Sequence, residues 1–144
     1  MVRELTAHDL DGLLALQVPC FAGEAWTRPM LAEELSRPGG ILLGIGLPVV
    51  AYVCAWLAGD ELHLLHIATE PSVRRAGLAT RLLDEVLHRA RPHVEVGWLE
   101  VRGDNAAAVA FYEHRGWIRV GLRKRYYSDG VDAFVYRCSP ATNA

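Results

Sequence analysis

Glu100 is the residue of this 144-residue chain that most needs a task. It lies in an apolar run, residues 94–101, that reads as a strand. Alternation there puts Trp98, Glu100 and Arg102 on one face and Leu99 and Val101 on the other. A carboxylate among apolar strand residues calls for a partner or a job. Downstream, Asn105 and Tyr112 stand seven apart in a helical pattern. At about 100° per residue they project within about 20° of each other, roughly 10 Å apart along the axis. One could touch the middle of a long ligand while the other reaches its reactive end. A capping asparagine and a half-buried core tyrosine would show the same spacing. Together, a carboxylate and a phenol suit proton transfer to and from a reacting centre.

The second feature lies upstream. Arg74-Arg75-Ala76-Gly77-Leu78-Ala79 is a short basic loop between the apolar run 63–69 and a helical pattern that continues through Thr80 to Ala90. The first amides of a helix lack carbonyl partners, and the aligned peptide dipoles place partial positive charge there. Gly77 lets a large anionic group approach the backbone, and Arg74 and Arg75 add charge where a phosphate would sit. An ordinary strand-to-helix turn with two solvated arginines would look the same.

The elements that must position these residues follow from periodicity and turn chemistry. Residues 2–5 read as a first strand, and Thr6 as the cap of a helix over residues 8–18 that Pro19 ends. Thr27 caps a second helix with Pro29 in its first turn, broken by residues 36–40. Residues 41–69 carry turn signals at 46–48 and 59–60 and predict three consecutive antiparallel strands. Leu78, Leu82, Leu83, Val86, Leu87 and Ala90 give a third helix, with Asp84–His88 and Glu85–Arg89 four apart on its outer side. Asp104 or Asn105 caps a fourth, ended by Gly116, and residues 117–127 and 131–138 read as two last strands. The order βααβββαβαββ is mixed α/β, a sheet with about four helices on its faces.

Composition narrows the function. The length fits one domain over residues 1–144. A net charge of −2 argues against a nucleic-acid binder. Cys20, Cys54 and Cys138 are odd in number and widely spaced, which predicts reduced thiols in a cytoplasmic setting and no zinc site. No apolar run is long enough to span a membrane, and the N-terminal residues lack a signal-peptide layout.

These motifs resemble those of the GNAT superfamily. Arg-x-x-Gly-x-Ala after an apolar strand is similar to its acetyl-CoA pyrophosphate loop, with Ala79 where many members have glycine. The string over residues 99–117, with Tyr126-Tyr127 and residues 130–133 beyond it, resembles the ribosomal-protein-alanine N-acetyltransferases (RimI type). The resemblance covers nearly the whole chain and extends to residues 21–35. It implies a single-domain GNAT fold, with a mostly antiparallel sheet splayed between the 63–69 and 94–101 strands. It also implies acetyl-CoA as acetyl donor, with no metal. Glu100 stands at the general-base position and Tyr112 at that of the general acid. Ile67, Ala68, Thr69, Arg74, Arg75, Ala76, Gly77, Leu78, Ala79, Thr80, Asn105 and Tyr112 stand at acetyl-CoA-contacting positions, Thr69 replacing the commoner valine. The implied acceptor is the N-terminal α-amine of a protein, a small-subunit ribosomal protein starting with alanine. No membrane or nucleic-acid partner is implied. A GNAT enzyme acting on a small amine or lysine, and a module that binds acetyl-CoA without turnover, are the alternatives.

The chemistry is consistent with an N-terminal acceptor. A peptide α-amine, with a pKa of about 7.7–8.0, is roughly a tenth neutral at pH 7, whereas lysine at about 10.4 costs roughly 3.5 kcal/mol more to deprotonate. One carboxylate, acting directly or through water, is the more credible base for the former; Glu24 is a candidate second carboxylate. The oxyanion needs a backbone N–H, expected near Ala68. His63 and His66, three apart in a strand, are expected on opposite faces, His66 as a structural histidine or an acceptor contact. Arg123-Lys124-Arg125 is expected as a solvated strand edge, and Tyr126 and Tyr127 as core, rim or acceptor wall. A ping-pong route through a cysteine is not expected, because none has a basic neighbour in sequence.

Overall fold

Seven strands of the described residues form one sheet, β1-β2-β3-β4-β5-β7-β6, with helices on both faces. The structure is a computed structural model and describes residues 1–140. Along the chain come β1 (Val2–Glu4), α1 (Leu10–Phe21), α2 (Arg28–Leu35), β2 (Gly40–Ile45), β3 (Ala51–Ala58) and β4 (Glu61–Thr69). They are followed by α3 (Leu78–Ala90), β5 (Val96–Arg102), α4 (Ala106–His114), β6 (Ile118–Arg123) and β7 (Ala133–Cys138). The element order is the expected one.

Every neighbouring pair is antiparallel except β4 and β5, which are parallel because α3 carries the chain back across the sheet. Their pairing covers four residue pairs, Glu61↔Val96 to Leu64↔Leu99, and then stops. Beyond it the strands diverge, so the sheet splays as expected. A bulge accompanies the divergence: Cys54 faces His66 and Ala55 faces Leu64, leaving Leu65 as an extra residue in β4. A bulge bends its strand and increases the local twist.

Two apolar clusters follow from the alternation. One lies under α3 and α4, where Leu82, Leu83, Val86 and Leu87 meet Val53, Leu62, Leu64, Leu99, Tyr112 and Tyr136. The other lies under α1 and α2, where Leu13, Leu16 and Leu31 meet Leu42, Tyr52, Cys54 and Ala68. The second also holds a buried polar chain. Gln17 is 1 % exposed, yet its amide nitrogen donates to the Leu13 carbonyl and to Tyr52 Oη, and its oxygen accepts from the Trp26 N–H. Each group is thereby satisfied, which keeps the cost of burying the amide small.

Several boundaries differ from expectation. Pro19 does not end α1, which runs to Phe21 and stops at Ala22 with φ +48°. Proline removes one helical hydrogen bond near the C-terminal end, where the last turn is also held by Gln17 and by the Cys20 thiol on the Thr69 carbonyl. Thr6 caps as expected, but what it caps is a 3-10 turn, Ala7–Asp9, leading into α1. Glu85–Arg89 forms, whereas Asp84 pairs with Arg115 rather than His88. β6 and β7 are shorter than predicted: Arg125 takes φ +51° and its N–H bonds Asp132, which turns the chain out of the ladder before Tyr126. The Leu65 bulge overturns the expected placement of the two histidines. His63 pairs with Trp56 and His66 with Cys54, so both lie on the α1–α2 face.

Candidate active site

The opening between β4 and β5 is bordered at one end by the start of α3. Gly77 caps that helix with φ +76°; among the described residues no side chain caps it, and a Cβ there would meet nothing within 4 Å. By contrast, Thr27 caps α2 through the Met30 N–H, and Asn105 caps α4 through the Ala108 N–H at 3.1 Å. The chain reaches Gly77 through a 3-10 turn, Pro71–Val73, that Glu70 caps, and through Arg75 at φ +67°. A helix start without a capping side chain, preceded by two left-handed residues, suits a bound anion. Arg75 and Ala76 are exposed, and Leu78, Ala79 and Thr80 are half-buried. Arg74 is also exposed, but its Nε donates to the Thr69 carbonyl at 3.0 Å, tying the loop to the strand end. Ile67 packs on the α3–α4 side, while Ala68 is buried on the α1–α2 side.

At the other end, Glu100 and Tyr112 belong to opposite faces of the sheet. Glu100 lies on the face of α1 and α2, with a side chain 30 % exposed. Tyr112 rises from α4 into the other core cluster, edge-on to Trp117 at 6.0 Å. Tyr127 links them electrostatically. Burial pushes its phenol up to about 12, with Glu100 the next contributor. Burial pushes the Tyr112 phenol well above its ordinary value, with a smaller push from Tyr127. Both phenols therefore keep their protons at neutral pH, the state a proton donor requires.

A network ties down the rim of this site. Arg102 holds Asp104 and Asp129, reaches Glu24 at 3.7 Å, and lies 5.0 Å over the Tyr127 ring. Ser128 donates to Glu24 at 3.0 Å, so the turn Ala22–Glu24 meets the β6–β7 connection in front of β5. Two features escaped the sequence reading. Arg123, expected as part of a solvated edge, has its Nε 2.7 Å from Glu100 Oε2. The contact is an ion pair with poor hydrogen-bond alignment: that oxygen is buried and finds no hydrogen-bond partner among the described residues. His66 is sandwiched between Phe21 and Trp26, at 4.0 and 3.8 Å between ring centroids, and its Nδ1 meets Tyr52 Oη at 3.0 Å. Because Gln17 donates to that hydroxyl, Tyr52 donates onward and Nδ1 accepts. No sequence signal could have paired Arg123 with Glu100, since both meet only through β7.

The Cys20 thiol has a basic neighbour after all, Arg74 Nη2 at 3.9 Å, although the two are far apart in sequence. A separate open concavity of about 610 Å³ lies between Val2 and the outer side of α3, lined by Arg81, Asp84 and His88. It contains none of the residues above, and its solvated charge pairs offer no chemistry to match theirs.

The sequence pattern of the Acetyltransferase (GNAT) family matches residues 10–117. The chain belongs to the GNAT acetyltransferase family. The N-alpha-acetyltransferase RimI of Mycobacterium tuberculosis is 36 % identical over 144 residues, covering 94 % of this chain and 90 % of that protein. The [ribosomal protein bS18]-alanine N-acetyltransferase of Escherichia coli K12 is 34 % identical over 95 residues, 64 % of each chain. The crystal structure of the ribosomal-protein-S18-alanine N-acetyltransferase from Escherichia coli superposes with a TM-score of 0.87 at 27 % identity, covering 99 % of this chain and 94 % of that one. Arabidopsis thaliana NAA60 in complex with acetyl-CoA, at 14 % identity and a TM-score of 0.85, shares the fold.

The geometry at Gly77 gives a direct prediction. Gly77→Ala puts a methyl group into the open space and forces a left-handed backbone on an L-residue, at a cost of roughly 1–2 kcal/mol. That strain burdens free and bound protein alike; the methyl group's crowding of an anion at this helix start is what is expected to raise the Kd for acetyl-CoA, measured by calorimetry, about tenfold.

Proposed function

We propose that this GNAT enzyme transfers the acetyl group of acetyl-CoA to the N-terminal α-amine of a protein, by direct attack in a ternary complex. The reading extends over residues 1–144 and takes a small-subunit ribosomal protein beginning with alanine as acceptor, in a cytoplasmic setting. The observation that carries it is the bare helix start beside the place where β4 and β5 part, with Glu100 on one face of β5 and Tyr112 packed under the other. The likeness to RimI over most of both chains supports the choice of acceptor.

In this reading the main-chain N–H groups of residues 77–80 hold the diphosphate, assisted by Arg75. Residues 67–69 and Asn105 line the path of the pantetheine arm; the Asn105 oxygen is committed to Ala108, so its side-chain N–H groups do the donating. Glu100 takes the proton of the attacking amine, directly or through water. Tyr112 returns a proton to the departing sulfur. A main-chain N–H beside Ala68, beyond the last β4–β5 pair, faces the developing oxyanion.

Incubation with labelled acetyl-CoA and three acceptors tests this. The acceptors are an alanine-starting peptide, the same peptide with a blocked N-terminus and an internal lysine, and a polyamine. Label is expected in the first alone, at the α-nitrogen by fragmentation mass spectrometry. Equal labelling of lysine or polyamine would replace the acceptor class while leaving acetyl transfer in place.

A further inference from the structure

We infer that Arg123 is an exchangeable counter-ion of Glu100, holding the place that the acceptor's ammonium group takes on binding. The inference rests on the reading of Glu100 as the group that meets the acceptor amine. It is built on a pairing across three strands: β7 joins Glu100 and Arg123 on one sheet face, because Val135 pairs with Glu100 and Ala133 with Arg123.

The pair has the features of a provisional contact. Arg123 Nε lies 2.7 Å from Glu100 Oε2, yet the N–H is misaligned, so charge attraction holds the two without a directed bond. The Arg123 side chain is 60 % exposed. Its guanidinium also lies 5.6 Å from the Tyr126 ring, a second resting place beside the site. Arg102, on the same face, is built differently. It makes two-pronged hydrogen bonds to Asp104 and to Asp129 and is 26 % exposed. Arg102 is fixed, whereas the Arg123 side chain, 60 % exposed, is free to swing away once another cation faces the carboxylate.

A buried carboxylate oxygen without a hydrogen bond is costly unless a cation faces it. Arg123 meets that need before the acceptor arrives. An incoming α-ammonium offers the same charge with three donors on a compact head, so it can satisfy the oxygen better than a misaligned guanidinium. Exchange of one cation for the other leaves the net charge at Glu100 unchanged. Transfer of a proton from the ammonium to Glu100, directly or through water, then leaves a neutral amine for attack; Glu100 gives that proton up to solvent as the product departs, and Arg123 returns to the carboxylate.

Initial rates with an alanine-starting peptide of otherwise uncharged residues, at saturating acetyl-CoA, test this in Arg123→Gln and Arg123→Lys. Removing a competing cation is expected to lower the acceptor KM roughly two- to five-fold in Arg123→Gln with kcat within about two-fold, while Arg123→Lys stays near wild type. In a Glu100→Gln background the Arg123→Gln effect on KM is expected to vanish. A fall in kcat at unchanged KM would overturn the exchange and make Arg123 an orienting residue. An unchanged KM and kcat would make it a bystander. If the wild type acetylates no α-amine, the reading beneath this one fails; normal acetylation with an unmoved KM in Arg123→Gln removes the counter-ion alone.

Discussion

Glu100→Gln is expected to lower kcat/KM for an alanine-starting peptide by about 10²- to 10⁴-fold, the range of a positioned proton-transfer group. The amide is nearly the same size, so the fold and the affinity for acetyl-CoA should be unaffected, as thermal unfolding and calorimetry would register. The loss should fall on kcat, because an amide can still accept a hydrogen bond from the amine but cannot remove its proton. Tyr112→Phe is expected to lower kcat by about 10²-fold with little change in either KM, because the phenyl ring keeps its place against Trp117. Burial keeps the Tyr112 proton in place well beyond neutral pH, so its titration should not appear in a rate profile between pH 6 and 9. Wild-type rates in Glu100→Gln would move the base elsewhere, Glu24 being the next carboxylate on that rim.

Acid should unfold the protein through His66. Burial holds that imidazole near a pKa of about 4, against the small opposing pull of Glu34. Unfolded histidine takes its proton near pH 6.5, so the stabilisation is complete above that pH and drains away as the pH falls toward 4. The shift corresponds to about 3 kcal/mol, a large share of a typical domain's stability. The cause is visible in the packing. A charged ring would sit between Phe21 and Trp26, with Nδ1 turned from acceptor to donor against a hydroxyl that already donates to it. Urea unfolding at pH 7, 6, 5 and 4.5 should show the fall in the wild type. His66→Phe should be less stable at pH 7, through the stranded Tyr52 hydroxyl, and should have a flatter slope. Asp9 and Glu34, held low by Arg3 and by Arg37 and Trp56, add their own losses at the acid end in both proteins. Parallel slopes in the two proteins would dismiss the histidine.

Periodicity together with cap and turn residues located the four helices and seven strands of the described residues, because both signals are written in consecutive residues. Leu82, Leu83, Val86 and Leu87 mark the buried side of α3 whatever they pack against. The basic loop was legible for the same reason, since its charges, its glycine and the helix it opens are contiguous. What escaped depended on pairings between distant residues. His63 and His66 share a face despite their odd spacing because Leu65 is a bulge, and a bulge is a property of two strands. Arg123 lies on a solvated edge strand as expected, but its ion pair with Glu100 was not legible because the two are brought together only through β7. Pro19 misled because a proline rule weighs one helix alone, while Gln17 and Cys20 anchor that helix to its surroundings.

Four residue pairs, Glu61–Leu64 with Val96–Leu99, stitch the first four strands to the last three. Such a short seam makes the molecule two wings sharing a narrow spine, with α3 as the brace beneath. Beyond Leu64 and Leu99, the amides that face the opening rather than β3 or β7 should exchange with deuterium sooner than those in the middle of β3. A thioester lying along the opening would touch both wings at once and act as a staple, so the same amides should slow markedly when it is bound.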